Sequence, residues 1–161
     1  MMKKIVAVLL IVALALAVLA GCKGPKRTYV DEDGTKVEVQ GDGDTVVVTN
    51  EDGESSAVSG SNLAWPKGKM GDLPELKGNI IQVLDTPEGQ QVSLADIKKS
   101  DYDAYVSKVK SLGYETVYDM EIDDSTHLFA GEKGDFSVMI QFGGDSGDKG
   151  LCVITYMLGD S

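Results

Sequence analysis

The chain is poor in the residues that do most enzymatic chemistry. Its 161 residues include one histidine, two cysteines, one tryptophan and four prolines, and aromatic side chains make up only 6%. A nucleophile triad would have His127 as its single possible base, and no Gly-x-Ser-x-Gly sequence surrounds any serine. Positive charge is also scarce, with 15 Lys and Arg against 26 Asp and Glu and a formal net charge of −11. A strongly acidic chain is repelled by nucleic acid and by anionic lipid headgroups, so a nucleic-acid partner is not expected. The Gly-rich stretch 143–150 (GGDSGDKG) carries aspartates that would repel phosphate, and no helix follows to offer its N-terminus.

What the chain does have is one long apolar run. Ile5 to Leu19 is fifteen apolar residues, preceded by Lys3 and Lys4 and followed by Ala20, Gly21 and Cys22. Fifteen residues suit a signal-peptide core and fall short of the roughly 20 that cross about 30 Å of hydrocarbon. Leu19-Ala20-Gly21-Cys22 matches the lipobox of bacterial lipoproteins. That chemistry needs a thiol at position 22 to accept a diacylglycerol group, and small residues at 20 and 21 to enter the peptidase cleft. The expectation is therefore a signal peptide over 1–21 and a lipidated Cys22. Each buried CH2 adds about 0.8 kcal/mol of membrane affinity, so two or three acyl chains anchor firmly. Cleavage would carry the charge from −11 to −13 over the remaining 140 residues. It would also commit Cys22, leaving Cys152 without an intramolecular partner and the chain without a disulfide framework or a zinc ligand set. Cys152 lies in LCVITYML, an apolar strand-like run where a buried, inert thiol is expected.

Residues 22–30 read as a tether, with Gly24 and Pro25 opposing regular structure. Residues 31–62 carry Asp-Gly pairs at 33–34, 42–43 and 52–53, separating valine-bearing segments. Asp-Gly favours tight hairpin turns, so the spacing of nine to ten residues predicts a small acidic β-meander, marginal by itself. Residues 63–161 are long enough for one hydrophobic core. They open with LAWPKGKMGDLPELKG, which excludes helix and strand and wraps over the core through Trp65 and Leu73. Strands are predicted at 79–84 and 90–97, the second with Val92, Leu94 and Asp96 on one face. A helix follows at 101–112, N-capped by Ser100 with Asp103 in the capping-box position and stopped by Gly113. Tyr102, Tyr105, Val106, Val109 and Leu112 form its apolar stripe. Four further strands are predicted at 114–121, 126–132, 136–142 and 151–158; Phe136, Val138, Ile140 and Phe142 alternate with Ser137, Met139 and Gln141. The expected class is α+β: an antiparallel sheet of order ββαββββ with one helix packed on a face.

The lipobox, the Gly- and Asp-rich spacer, the Trp65-Pro66 and Leu73-Pro74 entry, and the Tyr102/Tyr105/Leu112/Gly113-Tyr114 helix exit together resemble a family of small bacterial lipoproteins of unknown function. The resemblance implies a domain boundary near residue 63 and structural anchors. It brings no activity and no catalytic residues.

The acidic turns at Asp31–Gly34, Asp42–Asp44 and Asp145–Asp148 offer oxygen ligands, yet none has EF-hand spacing: counted from Asp31, Gly34 falls at position 4 rather than 6. They read first as turns, and no metal or cofactor is expected. His127 follows Asp123-Asp124-Ser125 at the start of a strand, where an exposed histidine is ordinary. Tyr102, Tyr105, Tyr114, Tyr118 and Tyr156 could line a carbohydrate or peptide groove, although three sit at or beside the helix, where packing claims them. These readings favour a non-enzymatic binding or interaction module, lipid-anchored to the cell membrane on its extracytoplasmic side, with an envelope protein or small ligand as partner. One alternative is an envelope hydrolase using paired carboxylates from Asp119, Glu121, Asp123 and Asp124, one with a raised pKa in a cleft. The other is a structural spacer lipoprotein whose β-meander holds the domain off the membrane.

Overall fold

A computed structural model describes residues 26–40, 45–53, 56–123, 125–144 and 149–158. The expected signal peptide over 1–21, with Leu19, Ala20 and Gly21, lies outside the described residues, as do Cys22, Asp42–Asp44, Asp124 and Asp145–Asp148. The chain divides between Ser59 and Gly60 into two compact units.

The N-terminal unit is an antiparallel meander of four short strands: β1 (Arg27–Val30), β2 (Lys36–Val39), β3 (Val46–Thr49) and β4 (Ser56–Ser59). Arg27–Val30, assigned to the tether by the sequence reading, is thus a strand. The Asp33-Gly34 turn is held by Asp31, whose Oδ1 accepts hydrogen bonds from the backbone N–H groups of Asp33 (3.1 Å) and Thr35 (2.8 Å). Val37, Val46 and Val48 are buried together, with Val39 and Ala57 packed beside them. Glu38 receives Lys26 and Lys36 on the surface.

In the C-terminal unit, β5 (Asn79–Thr86) and β6 (Gly89–Lys98) form a hairpin. Helix α1 (Lys99–Ser111) follows, then β7 (Glu115–Asp123), β8 (Thr126–Lys133), β9 (Phe136–Gly144) and β10 (Lys149–Leu158). The last four strands make a meander, and β10 closes it by pairing with β6, so the order is β5-β6-β10-β9-β8-β7.

The expected α+β class is corrected by this structure. Strands occupy 57% of the described residues in ten elements, and the single helix has 13 residues, so the fold is β-rich. Two physical reasons account for the difference. Strands β5 to β10 extend beyond their predicted ends. The second layer is also supplied largely by irregular chain, since Trp65, Met70, Leu73 and Leu76 from the segment before β5 are buried in the same core as the helix stripe. Tyr105 donates a hydrogen bond to the Pro74 carbonyl (2.9 Å) and Tyr114 donates to Asp72 Oδ1 (2.9 Å), fastening that segment to the helix and its exit.

Two local expectations also change. Helix α1 begins at Lys99 directly from β6, with Lys98 as N-cap and no side-chain cap; Asp103 instead accepts from Lys99 one turn back. Asp96 does not share the buried face of Val92 and Leu94. It is exposed at φ 61°, in a bulge where three steps along β6 match two along β10. The extra residue turns Ile97 into the core as the next inward side chain.

Candidate docking surface

Helix α1 and the Trp65–Leu76 segment share a buried core with one face of the six-stranded sheet, the face of Leu94, Phe129, Ile140 and Ile154. The register defines what the opposite face carries. One row runs Tyr118, Ala130, Met139, Thr155, Gln91, Leu84, and the next runs Met120, Leu128, Gln141, Val153, Ser93, Gln82. Antiparallel sheets with one solvated face ordinarily alternate apolar-in and polar-out. Here the polar-out rule holds for Gln91 and Ser93 on β6 and Gln82 on β5, though not for Leu84, and fails most toward β7, where Tyr118, Met120, Leu128, Ala130 and Met139 adjoin.

Strand β7 ends this sheet, and every one of its nine residues is exposed. Val117 is 53% accessible, Met120 47% and Ile122 60%. Covering the accessible part of such side chains is worth on the order of 1 kcal/mol each. Large contiguous apolar exposure of this kind marks interaction surfaces in folded proteins. The same strand carries Glu115, Asp119, Glu121 and Asp123 and no basic residue. An open cleft of about 580 Å3 lies where β8 and β10 end and β9 begins, lined by Glu88, Glu132, Asp135, Phe136, Met157 and Leu158. Phe136 stacks on Tyr156 there, with ring centroids 5.4 Å apart.

Of the carboxylates named for a hydrolase, Asp119, Glu121 and Asp123 fall exposed on β7, and Asp124 lies outside the described residues. Asp119 Oδ2 accepts from Lys110 Nζ at 2.7 Å, and Glu121 Oε2 stands 3.8 Å from His127 Nδ1. Asp123 Oδ1 accepts from the N–H (2.9 Å) and hydroxyl (2.8 Å) of Ser125, which holds its carboxyl below the usual range. Among the described residues, the other carboxylates displaced from their ordinary values move the same way: Glu38 through Lys36 and Lys26, and Asp72 through Lys133 and Tyr114. A general acid needs the opposite displacement.

His127, expected at the surface, is buried, with Tyr102 and Phe142 as ring neighbours at 6.0 and 6.1 Å. Cys152 is free and fully buried, and loss of water pushes its thiol up to about 12. Of the five tyrosines considered for a groove, Tyr102, Tyr105, Tyr114 and Tyr156 are buried, and Tyr118 alone lies on the open face. Among the described residues no three His, Cys, Asp or Glu side chains come together as a metal site, and no helix is long and apolar enough to cross a membrane.

The sequence reading missed Met120, Ile122, Leu128 and Met139 as surface features. A signal was present, since Tyr118, Met120 and Ile122 alternate with Asp119, Glu121 and Asp123. Such alternation says that one face of a strand is apolar without saying whether anything covers it. No protein-family model, curated protein or solved structure matches the chain.

Proposed function

We propose that this protein is a lipid-anchored, non-enzymatic binding module of the cell envelope, held to the membrane through Cys22 and facing its extracytoplasmic side. The observation that carries the binding role is the apolar patch of exposed Tyr118 and Met120 with half-buried Leu128 and Met139 beside them in two adjoining rows at an exposed sheet edge. The apolar run Ile5–Leu19 and the Leu19-Ala20-Gly21-Cys22 sequence support the anchor, and the resemblance to small bacterial lipoproteins agrees with it. The downward-displaced carboxylates and the buried His127 weigh against the hydrolase.

The test is retention of an envelope partner by the detergent-solubilised full chain. Wild type should retain one stoichiometric protein from envelope extract, and a Met120→Glu/Met139→Glu variant should lose it while keeping its circular dichroism spectrum. Equal retention by both forms, or none by wild type, would contradict the reading. Radioactive palmitate should label wild type and leave Cys22→Ser unlabelled.

A further inference from the structure

We infer that the outer edge of β7 is a strand-addition site for an extended segment of a partner protein in which basic and apolar residues alternate. This rests on the binding-module reading and names the chemistry of its partner. An edge strand presents unpaired backbone N–H and C=O groups, and folded proteins blunt such edges with proline, lysine, short length, β-bulges, inward-pointing charges or a covering element. Strand β7 has no proline, lysine or covering element among the described residues and runs nine residues, all exposed; its two register breaks and the core-side charges of Asp119 and Glu121 are its only protections. Register breaks lie between Thr116 and Tyr118 and between Glu121 and Asp123, bracketing a regular stretch from Tyr118 to Glu121.

The register fixes what an added strand would meet. Tyr118 and Met120 stand in rows with Ala130 and Leu128 on the open face, whereas Asp119 and Glu121 stand in rows with Phe129 and His127 on the other. An incoming strand that follows the pleat therefore lays apolar side chains beside Tyr118 and Met120 and places basic ones beside Asp119, which would share its carboxylate with Lys110, and Glu121, which stands 3.8 Å from His127 Nδ1. Main-chain bonds supply affinity in this mode of recognition, and alternate side chains supply specificity. Charge selects the occupant. A second copy of β7 would bring four further carboxylates against Glu115, Asp119, Glu121 and Asp123, and like charges directly opposite one another destabilise a strand pair. A basic segment relieves the same repulsion.

The experiment is fluorescence anisotropy of labelled seven-residue peptides with the full mature chain in a neutral detergent. An alternating lysine–valine peptide should bind at least tenfold more tightly than an alternating glutamate–valine peptide. It should also bind at least tenfold more tightly than an alternating lysine–proline peptide, which has the same charge and cannot pair as a strand. Glu121→Lys should weaken lysine–valine binding at least fivefold. Glu32→Lys, the same charge change on the N-terminal unit, should leave it within twofold. Equal binding of the lysine–valine and lysine–proline peptides, or equal loss in the two variants, would overturn strand addition in favour of general charge attraction. If the lysine–valine peptide does not bind while a stoichiometric envelope partner is still retained, strand addition fails and the binding module stands. If neither binds, both fail.

Discussion

The two units are both antiparallel sheet, and they differ in what fills them. The N-terminal unit buries Val37, Val46 and Val48, with Val39 and Ala57 alongside. The C-terminal unit buries twenty residues in one cluster, from Trp65 to Tyr156, including Phe129, Met70, Leu94, Ile140 and Ile154 almost completely. A small meander of four-residue strands is marginal in water, whereas a sheet backed by a helix and an aromatic-bearing strap supports a stable core. The contrast teaches where binding can be placed. A surface that keeps Met120 and Ile122 in water needs a rigid backing, and the large core supplies one. The small unit also exposes apolar side chains, Tyr29 and Val30 on β1, but among the described residues only the three-valine core stands behind them.

The largest expected break in this contrast is Phe129→Ala. Phe129 is fully buried, and such truncations cost about 3–5 kcal/mol, enough to unfold much of the C-terminal unit in a urea titration. A loss below about 1 kcal/mol would mean that the core is far looser than its burial implies. Next is Gly89→Ala. A Cβ at position 89 would stand 2.1 Å from the Tyr156 carbonyl oxygen and 2.8 Å from the Met157 Cα. Both are backbone atoms, so β6 must part from β10 locally, at about 1–3 kcal/mol. Amide exchange should accelerate at Gln90–Val92 and Ile154–Met157 ahead of the rest. Val46→Ala removes two methyl groups from the three-valine core, roughly 1.5 kcal/mol. Amides of β2 to β4 should then exchange faster with those of β8 to β10 unchanged, a separation that would fail if the two cores melted as one.

The smallest effect concerns acid. Asp72 is held below its ordinary value of 3.8, first by its bond to Lys133 and then by the Tyr114 hydroxyl. A lowered folded-state value contributes stability above the unfolded value, and that stability is lost as pH falls through the folded one. The carboxylate is about half open to solvent, so the contribution is modest. Thermal midpoints should fall below about pH 4 in wild type and fall less steeply in Asp72→Asn, which has no charge to lose. Parallel curves would show that the Asp72 bond is irrelevant to stability.

Much of the C-terminal unit could be read from local pattern. The Tyr102, Tyr105, Val106 and Val109 stripe is buried, as are Val138, Ile140 and Phe142 from the alternating strand. What could not be read depends on distant chain. The insertion of β10 between β6 and β9 joins residues some sixty positions apart, and no local periodicity reports it. The bulge at Asp96 is invisible because alternation carried past Leu94 predicts the wrong inward residue, and the register against β10 corrects it to Ile97. Met70 was overlooked among the glycines and prolines of its segment and proves nearly inaccessible. The candidate docking surface was half legible. The alternation of Tyr118, Met120 and Ile122 marks an apolar face, but only the strand order places it at an edge.

The most direct test of the account is a pair of photo-cross-linking residues placed in the full-length chain in living cells, one at Met139 on the open face and one at Val47 in the small meander. The account predicts a discrete cross-linked partner from Met139 and none from Val47. The same partner from Val47 alone, or no cross-link from Met139, would contradict the assignment of binding to the uncovered sheet face.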